Sequence, residues 1–235
     1  MTRAPAVGLL PFASTGFSGF VMAINVPNQI TLGRLVLATI LFVCLAQYEH
    51  GQSSLRMLDW AAALFIVAAV TDMLDGYLAR RQNQVTSFGR VLDPFVDKVL
   101  VCGSFIFLCG PGFVDNTAVP PANVSHVSAW MVVLIIGREL LVTSLRGFSE
   151  AQGDSFGANV FGKAKMMVQS ITIPVILVFQ AHPDSVFASP NVRWIQPALV
   201  WLTVIVTTAS MGSYLLRARN ILTELSRPTD RDKKS

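Results

Sequence analysis

The sequence has little charge. Asp, Glu, Lys and Arg make up only 14% of its 235 residues, whereas 52% are hydrophobic, and the mean hydropathy is +0.54. Soluble globular domains carry about 25% charged residues. The composition therefore excludes an ordinary soluble domain and indicates a protein that is embedded in a membrane.

Cysteine is scarce as well. Cys44, Cys102 and Cys109 occur singly within apolar segments and lack metal-ligand spacing. We interpret them as ordinary buried small residues. The sequence also lacks internal repeats, heptad arrays and low-complexity linkers, so we expect one domain without a soft-metal site.

Long apolar runs are abundant. Each has about 20 residues, the length that an α-helix needs to cross a hydrocarbon core of roughly 30 Å. They are continuously apolar, unlike the alternating segments of about ten residues in a membrane β-barrel. We therefore predict an all-α integral membrane fold, a bundle of six transmembrane helices. The runs lie approximately at residues 30–49, 58–77, 92–113, 128–147, 162–181 and 194–214.

The positive charges predict the orientation of this bundle. Lys and Arg are concentrated after the second, fourth and sixth runs, whereas the opposite connections hold only Arg56 and Arg193. By the positive-inside rule, both termini and the Asp-rich connection lie on the cytoplasmic side of the inner membrane. We divide the chain into an N-terminal extension or interfacial helix (1–24), the six-helix domain (25–216) and a basic cytoplasmic tail (217–235).

Four aspartates stand at the cytoplasmic ends of the second and third runs. Asp72 and Asp75 share one helix face, as do Asp93 and Asp97. An aspartate deep in a membrane helix costs about 2.5–3.5 kcal/mol, so a purely structural role does not account for four of them. Together they could hold two divalent ions, Mg²⁺ or Mn²⁺, about 4 Å apart. The alternative is a set of interfacial carboxylates that nearby Arg and Lys side chains neutralise.

Small residues accompany the aspartates. Gly76, Ala79 and Gly89 leave backbone accessible to a bulky group, and Arg80 supplies a planar fork for a diphosphate. With Asp75, they form a candidate seat for a nucleotide.

The spacing D-x2-D-G-x2-A-R-x8-G-x3-D-x3-D, from Asp72 to Asp97, resembles the signature of the CDP-alcohol phosphotransferase family. The resemblance implies a six-helix membrane enzyme, usually a homodimer. In this family the carboxylates hold two divalent ions against the diphosphate of a CDP-linked substrate, and an acceptor hydroxyl displaces CMP. The resemblance also implies that Asp97 is the general base.

Three further segments resemble one branch of the family, the bacterial phosphatidylglycerophosphate synthases. They are "NVPNQITLGR" (25–34), "GRELLVTSLRGFSEAQG" (137–153) and "GKAKMMVQS" (162–170). The branch departs from this chain at Met166, where it commonly has Thr. The resemblance implies that CDP-diacylglycerol is the donor and sn-glycerol 3-phosphate the acceptor.

Five cations fall at the cytoplasmic ends of their helices or just beyond, at the depth of the aspartates. A positive pocket beside a metal site would suit the phosphate of an acid acceptor. Glu139 could orient Arg138, and the alternative is that the cations only follow the positive-inside rule. The candidate acceptor residues are Arg34, Arg138, Arg146, Lys163 and Lys165.

Other functions remain open at the level of the sequence. A related enzyme could use inositol phosphate, serine or phosphatidylglycerol as its acceptor. An ion transporter with an acidic site would usually show repeated halves and broken helices, which the sequence lacks. A scaffold protein has no use for four costly carboxylates, and a nucleic-acid partner is not expected.

Overall fold

The structure, a computed structural model, describes the chain over residues 26–51, 56–82, 87–151, 160–184 and 189–225. Side chains are described at 29–51, 56–72, 92–149, 162–184 and 189–216. The predicted extension at 1–24 lies outside these ranges, as does the end of the predicted tail from 226 onward. Helix continues from the six-helix domain into the tail as far as Leu225.

The described chain contains six long helices, and the predicted helical class is confirmed. Each predicted run lies largely within one helix, although the ends differ by up to eleven residues, because polar residues continue a helix beyond its apolar part. The helices are α1 (Val26–Ala46), α2 (Arg56–Gln82), α3 (Ser87–Leu108), α4 (Ala129–Ala151), α5 (Val160–Ala181) and α6 (Ile195–Leu225).

Among the described residues, three helical segments are long and apolar enough to cross a membrane. The segments are Gln29–Ala46 in α1, Gly162–Ala181 in α5 and Ile195–Leu216 in α6. They identify a membrane protein.

A small hairpin that the sequence reading did not predict follows α3. A 3₁₀ turn (Pro111–Phe113) leads into strand β1 (Val114–Asp115), which pairs antiparallel with β2 (Ala122–Asn123). The carbonyl of Leu108 accepts hydrogen bonds from Asn123 Nδ2 at 3.1 Å and Ser125 Oγ at 2.7 Å. These bonds satisfy a carbonyl at the end of α3 that has no partner within the helix.

The helices pack in a ring, so helix ends that are far apart in the sequence lie close together. α1 packs against α2 and α3, α2 against α5, α5 against α6, and α6 against α4. A continuous apolar core, with fully buried Leu41, Leu58, Phe65 and Phe105, fills the half of the bundle nearest the hairpin. The ring also places the N-terminal parts of α1, α3 and α5 beside the C-terminal parts of α2, α4 and α6.

That second half of the bundle contains buried polar side chains instead of a continuous apolar core. Each of them is at most 6% exposed, although ionised groups are seldom buried unless they are paired. Paired charges that are concentrated at one end of an apolar bundle indicate a candidate functional site. The buried polar side chains include Thr31, Arg34, Arg138, Glu139, Lys165 and Ser210.

Candidate active site

Three of the four predicted metal-binding aspartates have described side chains. Asp72 lies in the C-terminal half of α2, and Asp93 and Asp97 lie in the first turns of α3. Asp75 is in α2, one turn beyond Asp72, but its side chain is outside the described part. The same holds for the candidate nucleotide residues, Gly76, Ala79 and Arg80 in α2 and Gly89 in α3.

Helix α1 provides partners for two of these aspartates. Thr31 Oγ1 donates a hydrogen bond to Asp93 Oδ1 at 2.5 Å, and Arg34 Nη1 forms an ion pair with Asp72 Oδ1. Thr31 and Arg34 are three residues apart and therefore lie on the same helix face. We call Asp72, Asp93 and Asp97 the acidic centre. Arg34 is only 1% exposed, so α1 places a buried cation directly beside this centre.

An apolar cavity of about 550 Å³ runs along the bundle from this centre. Its walls include Ile66 and Val70 of α2, Leu100 of α3 and Met167 of α5. Charged residues line only its end near the aspartates. Because Ile66, Val70 and Met167 are about half exposed or more, the cavity opens sideways between α2 and α5.

A second cavity of about 540 Å³ lies on the other side of Asp97, between α3, α4, α5 and α6. Two carboxylates, Asp97 and Glu139, line it. Five cationic side chains outnumber them, so the cavity is suited to an anionic ligand. The cations are Lys98, Arg138, Arg146, Lys163 and Lys165.

The apolar cavity and the cationic cavity share part of their lining. Asp97, Lys163 and Met166 line both. The charges of Asp72, Lys98 and Lys165 all act on Asp97. A ligand in one cavity can therefore reach a ligand in the other beside the Asp97 carboxylate.

Glu139 organises the buried cations of the cationic cavity. Its Oε1 atom accepts from Arg138 Nη1 at 3.0 Å and from Lys165 Nζ at 2.6 Å. Arg138 Nη2 also donates to Ser210 Oγ of α6 at 2.5 Å. One carboxylate thus ties α4 to α5, while the arginine ties α4 to α6.

The two lysines of α5 occupy different environments, as their spacing of two residues predicts. Lys165 is 4% exposed and bound to Glu139, whereas Lys163 is exposed and lines both cavities. Arg146 is also exposed. Four of the five predicted acceptor residues therefore line one cavity.

Arg34 is the exception. It lines the apolar cavity and binds Asp72, and it does not line the cationic cavity with the other four candidates. The sequence reading grouped it with them because it has a similar depth along its helix. Depth along the bundle does not distinguish two cavities that lie side by side.

Sequence reasoning missed several residues that support these cavities. Thr31, Ser210 and Tyr214 were not proposed as site residues, although Thr31 bonds to Asp93, Ser210 bonds to Arg138 and Tyr214 lines the cationic cavity. The signal that could have found Ser210 and Tyr214 is their spacing of four residues, which places two polar groups on one face of an apolar helix.

The chemistry of the acidic centre fits a hard divalent ion. Among the side chains described here, no cluster of three or more His, Cys, Asp or Glu is close enough to hold a metal. However, Asp72 and Asp97 line the same cavity, and each adds negative charge near the other. Carboxylate oxygens of this kind are ligands that Mg²⁺ and Mn²⁺ prefer.

The fold and the site define a class of integral membrane protein in which an acidic centre separates an apolar cavity from a cationic cavity. A family model described as CDP-alcohol phosphatidyltransferase matches residues 24–209. The chain belongs to this family.

Curated relatives in bacteria support this assignment. The chain is 35% identical over 197 residues to a protein of Bacillus subtilis (strain 168), covering 81% of this chain and 93% of the relative. It is 34% identical over 208 residues to a protein of Escherichia coli (strain K12), covering 84% and 97%. Both relatives are named CDP-diacylglycerol--glycerol-3-phosphate 3-phosphatidyltransferase.

Proposed function

We propose that this protein transfers the phosphatidyl group of CDP-diacylglycerol to sn-glycerol 3-phosphate, giving phosphatidylglycerophosphate and CMP. The observation that carries the proposal is that the apolar cavity and the cationic cavity meet at Asp97. One substrate of this reaction is a lipid and the other is a small dianion. Cavities of these two kinds, joined at a carboxylate, suit a transfer between them.

The lipid donor fits the apolar cavity. Its sideways opening between α2 and α5 lets the acyl chains remain in the bilayer while the head group reaches Asp72 and Arg34. Arg34 is well suited to contact the donor diphosphate, because a guanidinium can bind two phosphate oxygens at once. We therefore assign Arg34 to the donor side, whereas the sequence reading placed it with the acceptor.

The acceptor phosphate fits the cationic cavity. Arg138, Arg146, Lys163 and Lys165 surround this space. Among the described residues, the buried Nε atom of Arg138 has no hydrogen-bond partner. A buried donor without a partner costs free energy, and a phosphate oxygen could accept from it.

The reaction needs a base at the junction. The 1-hydroxyl of glycerol 3-phosphate attacks the lipid-side phosphorus, and the bond from that phosphorus to the oxygen of the CMP phosphate breaks. CMP leaves with the electron pair, and the Asp97 carboxylate accepts the proton of the attacking hydroxyl. Arg34 and Lys163 stabilise the negative charge on either side of the junction.

Two divalent ions, Mg²⁺ or Mn²⁺, belong to this proposal. Asp72, Asp93 and Asp97 would hold them together with Asp75. When bound, the ions supply positive charge to the diphosphate and the departing phosphate. The hydrogen bond from Thr31 and the ion pair from Arg34 keep Asp93 and Asp72 directed into the site.

The arrangement in the cell is also a proposal. All six helices cross the inner membrane, both termini and the active site lie on the cytoplasmic side, and the protein is a homodimer. The sequence supports the orientation through the placement of Lys and Arg. The charged helices α2, α3 and α4 can cross because their polar residues pack inside the bundle or line its cavities.

The test is transfer by the purified protein in detergent–lipid micelles. With CDP-diacylglycerol, Mg²⁺ and radiolabelled glycerol 3-phosphate, label should enter the lipid fraction and CMP should be released, and a chelator should stop both. Asp97→Asn should reduce kcat at least about 100-fold, the scale of general base catalysis, while CDP-diacylglycerol still binds.

The control is Asp59→Asn, which changes a partly exposed aspartate of α2 that pairs with His182. This variant should retain its activity. Near-normal kcat in Asp97→Asn would reject the role of Asp97. Transfer to inositol phosphate, serine or phosphatidylglycerol, without transfer to glycerol 3-phosphate, would identify a related enzyme instead, and the absence of CMP release would favour a transporter.

A further inference from the structure

Tyr214 is a buried residue of α6 that lines the cationic cavity. It is 2% exposed and packs against Val142 of α4. Its ring lies beside Arg138, whose Cζ atom is 5.5 Å from the ring centroid. Its hydroxyl oxygen is 3.5 Å from Arg146 Nη2. One tyrosine therefore contacts two of the cations that surround the proposed phosphate position.

These contacts hold the arginines without neutralising them. Glu139 also holds Arg138, but a carboxylate cancels part of the positive charge that an anionic ligand needs. An aromatic ring attracts a guanidinium through its quadrupole, and a phenol hydroxyl accepts a hydrogen bond while it remains neutral. Tyr214 and Ser210 thus position cations and leave the potential of the cavity positive.

The neighbouring helix leaves space for this side chain. A Cβ atom at Gly162 of α5 would lie 3.2 Å from the Tyr214 hydroxyl oxygen and 3.9 Å from Arg138 Nη2. The first distance is tighter than an ordinary van der Waals contact. The hydroxyl would have to move away from its present position if residue 162 carried a side chain.

We infer that Tyr214 is a positioning residue of the acceptor site, which holds Arg138 against its ring and Arg146 at its hydroxyl so that both guanidinium groups face the acceptor phosphate. This inference rests on the proposed function, since it assigns the cationic cavity to glycerol 3-phosphate. It also gives α6 a role in holding the acceptor site, because Tyr214 and Ser210 are both residues of that helix.

The experiment compares Tyr214→Phe, Tyr214→Leu, Gly162→Ala and the double variant Gly162→Ala/Tyr214→Phe. Tyr214→Phe should raise the KM for glycerol 3-phosphate about 3-fold, because it removes one neutral hydrogen bond. Tyr214→Leu should raise it about 10-fold or more, because it also removes the aromatic ring. The KM for CDP-diacylglycerol should not change in either variant.

The double variant tests the contact between residue 162 and the Tyr214 hydroxyl. Gly162→Ala should raise the KM for glycerol 3-phosphate by displacing the hydroxyl, but it should add nothing in the Tyr214→Phe background, where the hydroxyl is absent. The matched control is Tyr48→Phe. Tyr48 is another buried tyrosine, and its hydroxyl oxygen is 3.5 Å from His50 Nδ1 at the far end of the bundle. Its variant should leave both KM values unchanged.

Calorimetric binding of inorganic phosphate and of glycerol 3-phosphate gives a readout that does not need turnover. The wild-type protein should bind both more tightly than Tyr214→Leu. If the wild type binds these anions in this way but transfers no phosphatidyl group, the proposed function fails and the positioning role stands. Equal increases in both KM values, additive effects of the two substitutions, or unchanged anion binding in Tyr214→Leu would each overturn the inference.

Discussion

Arg34 and Arg138 are both buried arginines, but their partners separate them. Arg34 binds Asp72 beside the apolar cavity, and Arg138 binds Glu139 and Ser210 beside the cationic cavity. Both were expected to contact the acceptor. Their different partners imply different substrates, and this difference can be measured.

We predict that Arg138→Ala raises the KM for glycerol 3-phosphate by roughly 10–100-fold, because a hydrogen bond to a charged group contributes about 1.5–3 kcal/mol. Its effect on the KM for CDP-diacylglycerol should be much smaller. Arg34→Ala should show the reverse preference. Steady-state kinetics with each substrate varied in turn provide the measurement.

The control for this pair is Arg193→Ala, an exposed arginine at the opposite end of the bundle. It should alter neither KM. Equal effects of Arg138→Ala on both substrates would contradict its acceptor role, and an effect of Arg34→Ala on glycerol 3-phosphate alone would restore the original expectation for Arg34.

At the scale of elements, the segment that follows α1 docks closely on the 3₁₀ turn. The backbone N–H of His50 donates to the carbonyl of Gly112 at 2.9 Å, and the rings of Tyr48 and Phe113 are 4.8 Å apart. A Cβ atom at Gly112 would lie 2.3 Å from the carbonyl oxygen of Tyr48. A backbone atom cannot rotate away as the end of a side chain can, so this contact requires glycine.

We therefore predict that Gly112→Ala lowers the free energy of unfolding by about 1–3 kcal/mol, the usual cost of overpacking. Gly137→Ala is the comparison, since a Cβ atom there meets nothing within 4 Å in the middle of α4. It should be neutral or stabilise the protein by about 0.5–1 kcal/mol. Thermal unfolding in detergent measures both, and similar shifts in the same direction would refute this account.

Helices α5 and α6 also contact each other through polar groups within the apolar part of the bundle. Thr172 Oγ1 and Thr203 Oγ1 are 2.9 Å apart. Farther along, the amides of Gln180 and Gln196 both donate to the carbonyl of Val124. These bonds satisfy polar groups where water is scarce, and they give two otherwise apolar helices a specific register.

For the whole molecule, aromatic residues mark the boundary opposite the active site. Trp130, Trp194 and Trp201 are all more than half exposed, and the rings of Trp130 and Trp201 are 6.0 Å apart. Tryptophan prefers the interface between membrane and water. Together with the hairpin, these residues mark the proposed outer surface.

We predict that alkaline phosphatase, which is active only outside the cytoplasm, gives a signal when it is fused after Thr117 or Asp184. A fluorescent protein fused after Ser235 should be bright, since we place the C-terminus in the cytoplasm. Matched fusions at each position with the other reporter serve as controls. A phosphatase signal at the C-terminus, or none at Thr117, would refute the six-span topology.

The sequence alone determined the helical membrane class, the helix faces of the aspartates and the family. The composition and the apolar runs predict a helical membrane protein with six helices, and the spacing of the aspartates places them on shared helix faces. The spacing from Asp72 to Asp97 is enough to indicate the family. These features depend on hydrophobicity and helical periodicity, which are local properties of the chain.

Only the tertiary structure decided how the charges are divided between two cavities. The ion pair of Arg34 with Asp72 joins residues 38 positions apart, and the hydrogen bond from Arg138 to Ser210 spans 72 positions. The places of Tyr214 and Gly162 likewise depend on how three helices pack. Periodicity gives the face on which a residue lies, but the partner opposite that face depends on which helices are neighbours and at what depth they meet.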